Sequence, residues 1–94
     1  MFRGYMVYTR LGLGVPEPKS TSDLLSAFGL AVRHVRTGLG LSQEQLAAAS
    51  GLDRTYVSGL ERGRRNPTLT TQQRLAAALG MRVADLVAQA EEMP

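Results

Sequence analysis

Residues 42–63, SQEQLAAASGLDRTYVSGLERG, constrain this chain more than any other stretch. Ser42 is a good helix N-cap and Gln45 stands three residues on, so the two can form a capping box. The helix they begin runs over Gln43-Glu44-Gln45-Leu46-Ala47-Ala48-Ala49 and stops at Gly51, the residue type best suited to a left-handed C-terminal conformation. Asp53 can cap a second helix that reaches about Arg62, and Gly63 closes it. Leu46, Ala47, Leu52, Val57 and Leu60 fall where the two helices must face a common core. Ala47 is small where the second helix passes closely over the first. Two short helices joined by a tight turn containing Gly make a helix-turn-helix.

Composition limits what can surround that pair. A chain of 94 residues makes one small helical domain. With no cysteine there is neither a disulfide framework nor a thiolate metal site, and His34 alone holds no metal. No cofactor or small-molecule ligand is implied. An enzyme is the weakest reading, for there is one His, no acidic cluster and no phosphate-cradling Gly loop beside a strand. Arg3 and Arg10 interrupt the apolar N-terminal run, so it reads as neither a signal peptide nor a membrane span. A cytoplasmic, nucleoid-associated protein is the expectation. The net charge of +3 is modest, but Arg54, Arg62, Arg64 and Arg65 cluster in or just after the second helix of the pair. A basic cluster beside a helix that fits a groove is the electrostatic footprint of a nucleic-acid binder, although it also suits a plain solvated face.

The flanking segments complete an all-α domain over residues 23–92, preceded by an extension over 1–22. In the extension, Phe2, Tyr5, Met6, Val7 and Tyr8 form a short β-prone patch before Gly12, Gly14, Pro16 and Pro18 break the chain. A lone strand has no partner for its backbone groups. This one can pair with its copy in a second subunit, lie over the core, remain a loose tail, or precede the true start of translation. Ser22 or Asp23 can cap a helix to about Thr37 whose inner face carries Leu24, Phe28, Ala31, Val32 and Val35. Thr68 begins a fourth helix that ends before Gly80, with Leu69, Leu75, Ala76 and Leu79 inward. A fifth, near Val83–Glu91, places Val83, Leu86, Val87 and Ala90 at i, i+3, i+4 and i+7. Five short helices around one core is the predicted architecture.

Within the second helix of the pair, Val57 and Leu60 must face inward, which leaves Thr55, Ser58, Gly59 and Arg62 as a stripe on the other side. Arg54 projects from the N-terminus beside it. That end of a recognition helix reaches base edges in the major groove, where an Arg can bond guanine in bidentate fashion. Arg54, Thr55 and Ser58 are therefore the candidate base contacts. Tyr56, Arg62, Arg64, Arg65 and Asn66 are candidate phosphate contacts, which set affinity and register more than sequence. Arg54 can equally grip a phosphate, and Tyr56 can equally be a half-buried core residue. Gly59 costs about 1 kcal/mol inside a helix, a cost explained by close approach to a phosphate or base or by simple tolerance.

The stretch Leu41-Ser42-Gln43-Glu44-Gln45-Leu46-Ala47, with Ser50-Gly51-Leu52 and Tyr56-Val57-Ser58-Gly59-Leu60-Glu61-Arg62-Gly63, resembles the Cro and lambda-repressor type of helix-turn-helix protein, the XRE family. Arg65-Asn66-Pro67-Thr68-Leu69 and Leu75-Ala76-Ala77-Ala78-Leu79-Gly80 extend the likeness to roughly residues 24–88. Within the family, Arg54-Thr55-Tyr56-Val57-Ser58 looks most like the controller proteins of restriction-modification systems. The resemblance implies a phosphate contact at Gln43 and an internal Arg36–Glu61 ion pair. It also implies dimerisation through the region of Val83, Leu86, Val87 and Ala90, a stripe that must in part close the monomer's own core, Leu86 above all, while Gln72 stands where the family usually carries an apolar residue. The function implied is a sequence-specific, double-stranded DNA-binding transcriptional regulator acting as a homodimer on a palindrome. The alternative is an antitoxin or adapter whose main partner is a protein, such as a toxin or another regulator, with the N-terminal patch or the fifth helix as its working surface.

Overall fold

The structure, a computed structural model, describes residues 18–94 and Gly12. Five helices follow one another: α1 (Thr21–Gly38), α2 (Gln43–Ser50), α3 (Arg54–Glu61), α4 (Leu69–Ala78) and α5 (Val83–Glu92). No strand occurs among the described residues, and the strand expected near Tyr5 to Thr9 lies outside them.

Local chemistry accounts for most helix ends. The Ser42 hydroxyl accepts from the Gln45 amide at 3.0 Å, and the Gln45 side-chain oxygen accepts from the Ser42 amide at 2.8 Å. Each of these N–H groups would otherwise lack a partner at the start of α2. Gly51 ends α2 with φ 71°, a left-handed conformation that a side chain would strain. Thr68 caps α4 by accepting from the Thr71 amide at 3.2 Å. Two capping expectations are corrected. Ser20, not Ser22 or Asp23, caps α1, and Asp23 is the residue whose amide it receives, at 3.2 Å. Asp53 occupies the N-cap position of α3, but its carboxylate makes no capping hydrogen bond.

The helices close into a ring: α1 packs on α3, α3 on α2, α2 on α4, α4 on α5, and α5 back along α1. Inside it lie Phe28, Ala31, Val32, Leu46, Ala47, Val57, Leu60, Leu75, Ala76, Leu79, Leu86 and Ala90. Val35 and Leu52 pack at its margin. Leu24 and Leu69 depart from the sequence expectation, being 44% and 69% exposed. Both belong to the first turn of their helices and fall short of the ring's interior. Gln72 fits where an apolar residue was expected because its amide donates to the Pro67 carbonyl at 3.2 Å, so its half-buried polar end has a partner.

Leu86 is a core residue, as its place in the stripe suggests, and Ala90 joins it. At 0% and 1% exposure they are consumed by the monomer's core and cannot form a dimer surface, whereas Val83 and Val87 are half-buried at its edge.

The crossing of α1 over α3 depends on Gly29. A Cβ there would lie 2.3 Å from the Leu60 carbonyl oxygen and 2.8 Å from that of Glu61, both backbone atoms of α3. Gly29→Ala must therefore push α1 and α3 apart. It should cost about 1–3 kcal/mol, as overpacked cores do, and appear as a lower thermal midpoint by circular dichroism. A midpoint at the wild-type value would contradict the crossing.

Candidate nucleic-acid interface

One buried ion pair fixes α3 relative to the rest of the domain. Arg36 Nε donates to Glu61 Oε2 at 2.6 Å and Nη2 donates to Oε1 at 3.0 Å, a bidentate geometry. Arg36 Nη1 donates to the Leu41 carbonyl at 2.7 Å, and Gln43 Nε2 donates to Glu61 Oε1 at 3.0 Å. The side chains of Arg36 and Glu61 are only 11% and 3% exposed. Four segments thus meet at one carboxylate and one guanidinium: α1, the loop after it, the first residue of α2 and the last residue of α3. No buried side-chain nitrogen or oxygen among the described residues lacks a partner. The hydrogen bond to Glu61 raises the Arg36 pKa above its ordinary value, against the opposing effect of burial. With its folded pKa above the unfolded one, the Arg36 contribution is fully present at neutral pH and is lost as pH rises beyond the ordinary arginine range.

This network also engages Gln43, whose half-buried side-chain amide donates one N–H to Glu61 and keeps the other free.

The opposite side of α3 is open. Val57 and Leu60 are buried, while Arg54 and Thr55 are exposed and Ser58 is half-buried beside them. Arg54 Nε lies 3.6 Å from Glu44 Oε1, and the two side chains are 64% and 76% exposed. A pair so exposed is worth little, so Arg54 can leave it for a ligand. Arg62, Arg64, Arg65 and Asn66 continue the exposed surface past the end of α3. Tyr56 is half-buried, and the Arg65 guanidinium carbon stands 5.4 Å from its ring centroid. The structure therefore brings Arg54, Thr55 and Ser58 together at one end of α3 and the three arginines at the other. Sequence reasoning missed the Arg54–Glu44, Gln43–Glu61 and Arg65–Tyr56 contacts because each joins residues that no single-helix periodicity relates. Among the described residues no group of three His, Cys, Asp or Glu could hold a metal ion, and no helix is long and apolar enough to cross a membrane.

Arg36→Ala leaves Glu61 buried without its main partner. It should destabilise the domain by about 3–5 kcal/mol, the cost of breaking one side of a buried pair, and lower the melting point in the absence of DNA. An unchanged melting curve would mean that the pair does not hold α3.

Comparison with known proteins agrees with this geometry. The family model described as Helix-turn-helix matches residues 32–86. The HTH-type transcriptional regulator y4dJ of Sinorhizobium fredii is 43% identical over 72 residues, covering 77% of this chain and 94% of its own. The control protein C.SmaI of Serratia marcescens is 50% identical over 65 residues, covering 69% and 77%. Among solved structures, the restriction-modification controller protein C.AhdI from Aeromonas hydrophila superposes with a TM-score of 0.65 at 52% identity, covering 66% of this chain and 94% of that one. With its five-helix ring, its capped α2–turn–α3 unit and exposed arginines at the start of α3 and just past its end, the chain belongs to the XRE-type helix-turn-helix family of DNA-binding transcriptional regulators.

Proposed function

We propose that the protein binds a palindromic operator as a homodimer, with α3 of each subunit in the major groove. The observation that carries this reading is the division of α3 into two sides. Val57, Leu60 and Glu61 are spent on the core and the ion pair, while Arg54, Thr55 and Ser58 face outward together. Arg54 has the donors for bidentate bonding to guanine, and Thr55 and Ser58 can bond several base edges. Arg62, Arg64, Arg65, Asn66, the Tyr56 hydroxyl and the free N–H of Gln43 supply phosphate contacts around them. A module this small buries little surface on DNA, so two copies over a palindrome multiply its affinity. The two α3 helices would then stand about 34 Å apart, one turn of the duplex. The relatives named as control proteins favour a controller-type regulator.

Selection from a random DNA pool should return a sequence with two-fold symmetry, and an asymmetric winner would count against the dimer. In that assay Arg54→Ala should relax the preference at one base position per half-site, a loss of about 1–3 kcal/mol of discrimination. Equal weakening on every sequence would move Arg54 to the phosphates.

Val83 and Val87 are the α5 residues left for the dimer contact. Val87→Glu should give folded monomers by light scattering that bind a half-site weakly. A dimer that survives this change but not removal of residues 1–20 would shift the contact to the N-terminal segment.

A protein-binding role has one observation in its favour. An open groove of about 340 Å³ between α1 and the C-terminus is lined by Leu30, Arg33, His34, Thr37, Met93 and Pro94. Leu30 is 43% exposed there. This face lies on α1 rather than α3, so it can serve a partner protein alongside the DNA-binding reading.

A further inference from the structure

Gly59 stands in the middle of α3, where a glycine weakens the helix relative to alanine. It is nevertheless buried, and the group that covers it is the side chain of Arg65. A Cβ at position 59 would lie 3.2 Å from Arg65 Nε, 3.5 Å from its Cγ and 3.9 Å from its Cδ. The first of these is tighter than side chains normally tolerate. Beyond that crossing, the guanidinium carbon reaches 5.4 Å from the Tyr56 ring centroid, within cation–π range. The backbone delivers Arg65 to this place: the Arg64 amide donates to the Gly59 carbonyl at 2.9 Å, folding the chain back over the end of α3. Gly59, Tyr56 and Arg65 are thus one assembly, built from two residues of the helix and one of the loop.

The geometry points to Gly59 as a positioning residue: its missing side chain is the seat across which Arg65 lies to stack on Tyr56, holding that cation ready for a DNA phosphate. An exposed arginine loses rotamer freedom when it binds, and a side chain already laid along α3 has less to lose. The seat also accounts for a glycine in this helix without any approach of DNA to the glycine itself. The inference deepens the DNA-binding reading and rests on it for the phosphate.

The test uses the full chain with Gly59→Ala, Gly59→Gln, Arg65→Ala and the Gly59→Gln/Arg65→Ala pair. In the free wild-type protein, the Arg65 δ-proton and Nε–H resonances should be shifted upfield by the Tyr56 ring. The shift should shrink in Gly59→Ala and vanish in Gly59→Gln. Binding is read by fluorescence anisotropy on a mixed-sequence DNA duplex over a series of salt concentrations. Gly59→Gln should weaken binding about two- to fivefold, the factor of an exposed cation–π contact. It should flatten the salt dependence as Arg65→Ala does, by up to about one unit. In the Arg65→Ala background it should change nothing further. Gly59→Ala should melt at or above the wild-type temperature, which separates lost binding from lost fold. An Arg65 resonance that stays in place in Gly59→Gln would overturn the seat. So would a Gly59→Gln effect that persists without Arg65, since the glycine would then be making room for DNA directly. Failure of the wild-type protein to bind any duplex would instead sink the DNA-binding reading and with it the phosphate role of Arg65, while the free-protein resonances still decide the seat.

Discussion

The buried bond between Arg36 and Glu61 is the constraint on which the placement of α3 depends. Two charges taken out of water add little net stability even when well paired, and a pair of apolar residues could fill the same space. What an apolar pair could not supply is direction. The Arg36 guanidinium holds both Glu61 oxygens and the Leu41 carbonyl, and Gln43 completes the set, so α1, α2 and α3 meet at fixed distances. Gly29 works with the pair by letting α1 touch the backbone of α3 at Leu60 and Glu61. Close approach and fixed hydrogen bonds fall on the same turn of α3. The rest of that helix is free to present a different chemistry outward.

That economy runs through the whole ring. Each short helix gives one side to a shared core, and α5, which packs along α1, gives half of its apolar stripe, Leu86 and Ala90, to that core. Burying a leucine contributes about 1.5–3 kcal/mol, and Leu86, at 0% exposure, is already spent on the monomer's core. A dimer contact on α5 therefore has to draw on the half-buried Val83 and Val87. On α3 the same division leaves Arg54, Thr55 and Ser58 unspent, beside a basic loop whose Arg65 is laid back along the helix over Gly59.

Much of this was legible in the sequence, and the reason is locality. The capping box at Ser42 and Gln45, the turn at Gly51, the cap at Thr68 and the inward residues of α3 each follow from neighbours within one or two turns of chain. Leu24 and Leu69 were misread because periodicity assigns a side but not a distance from the core, and both sit at helix starts beyond its reach. Ser20 was missed as the α1 cap because Ser22 and Asp23 offer the same chemistry two and three residues later. The site was less legible than the fold. The Arg36–Glu61 pair was visible only through family resemblance, and the turn of Gln43 toward Glu61 not at all. Gly59 looked like a cost without a cause because its neighbour, Arg65, is brought over it by a loop that no pattern in the helix announces.

The outward side of α3 and the loop after it form the proposed DNA-binding surface. Backbone amide shifts of the isotope-labelled protein, followed as a selected duplex is added, test it most directly. The largest changes should fall on Arg54, Thr55, Ser58, Arg62, Arg64, Arg65 and Asn66, with smaller ones at Gln43 and little movement along the Leu30–Thr37 face of α1. Changes concentrated instead at Leu30, His34 and Met93, with α3 unmoved, would contradict it.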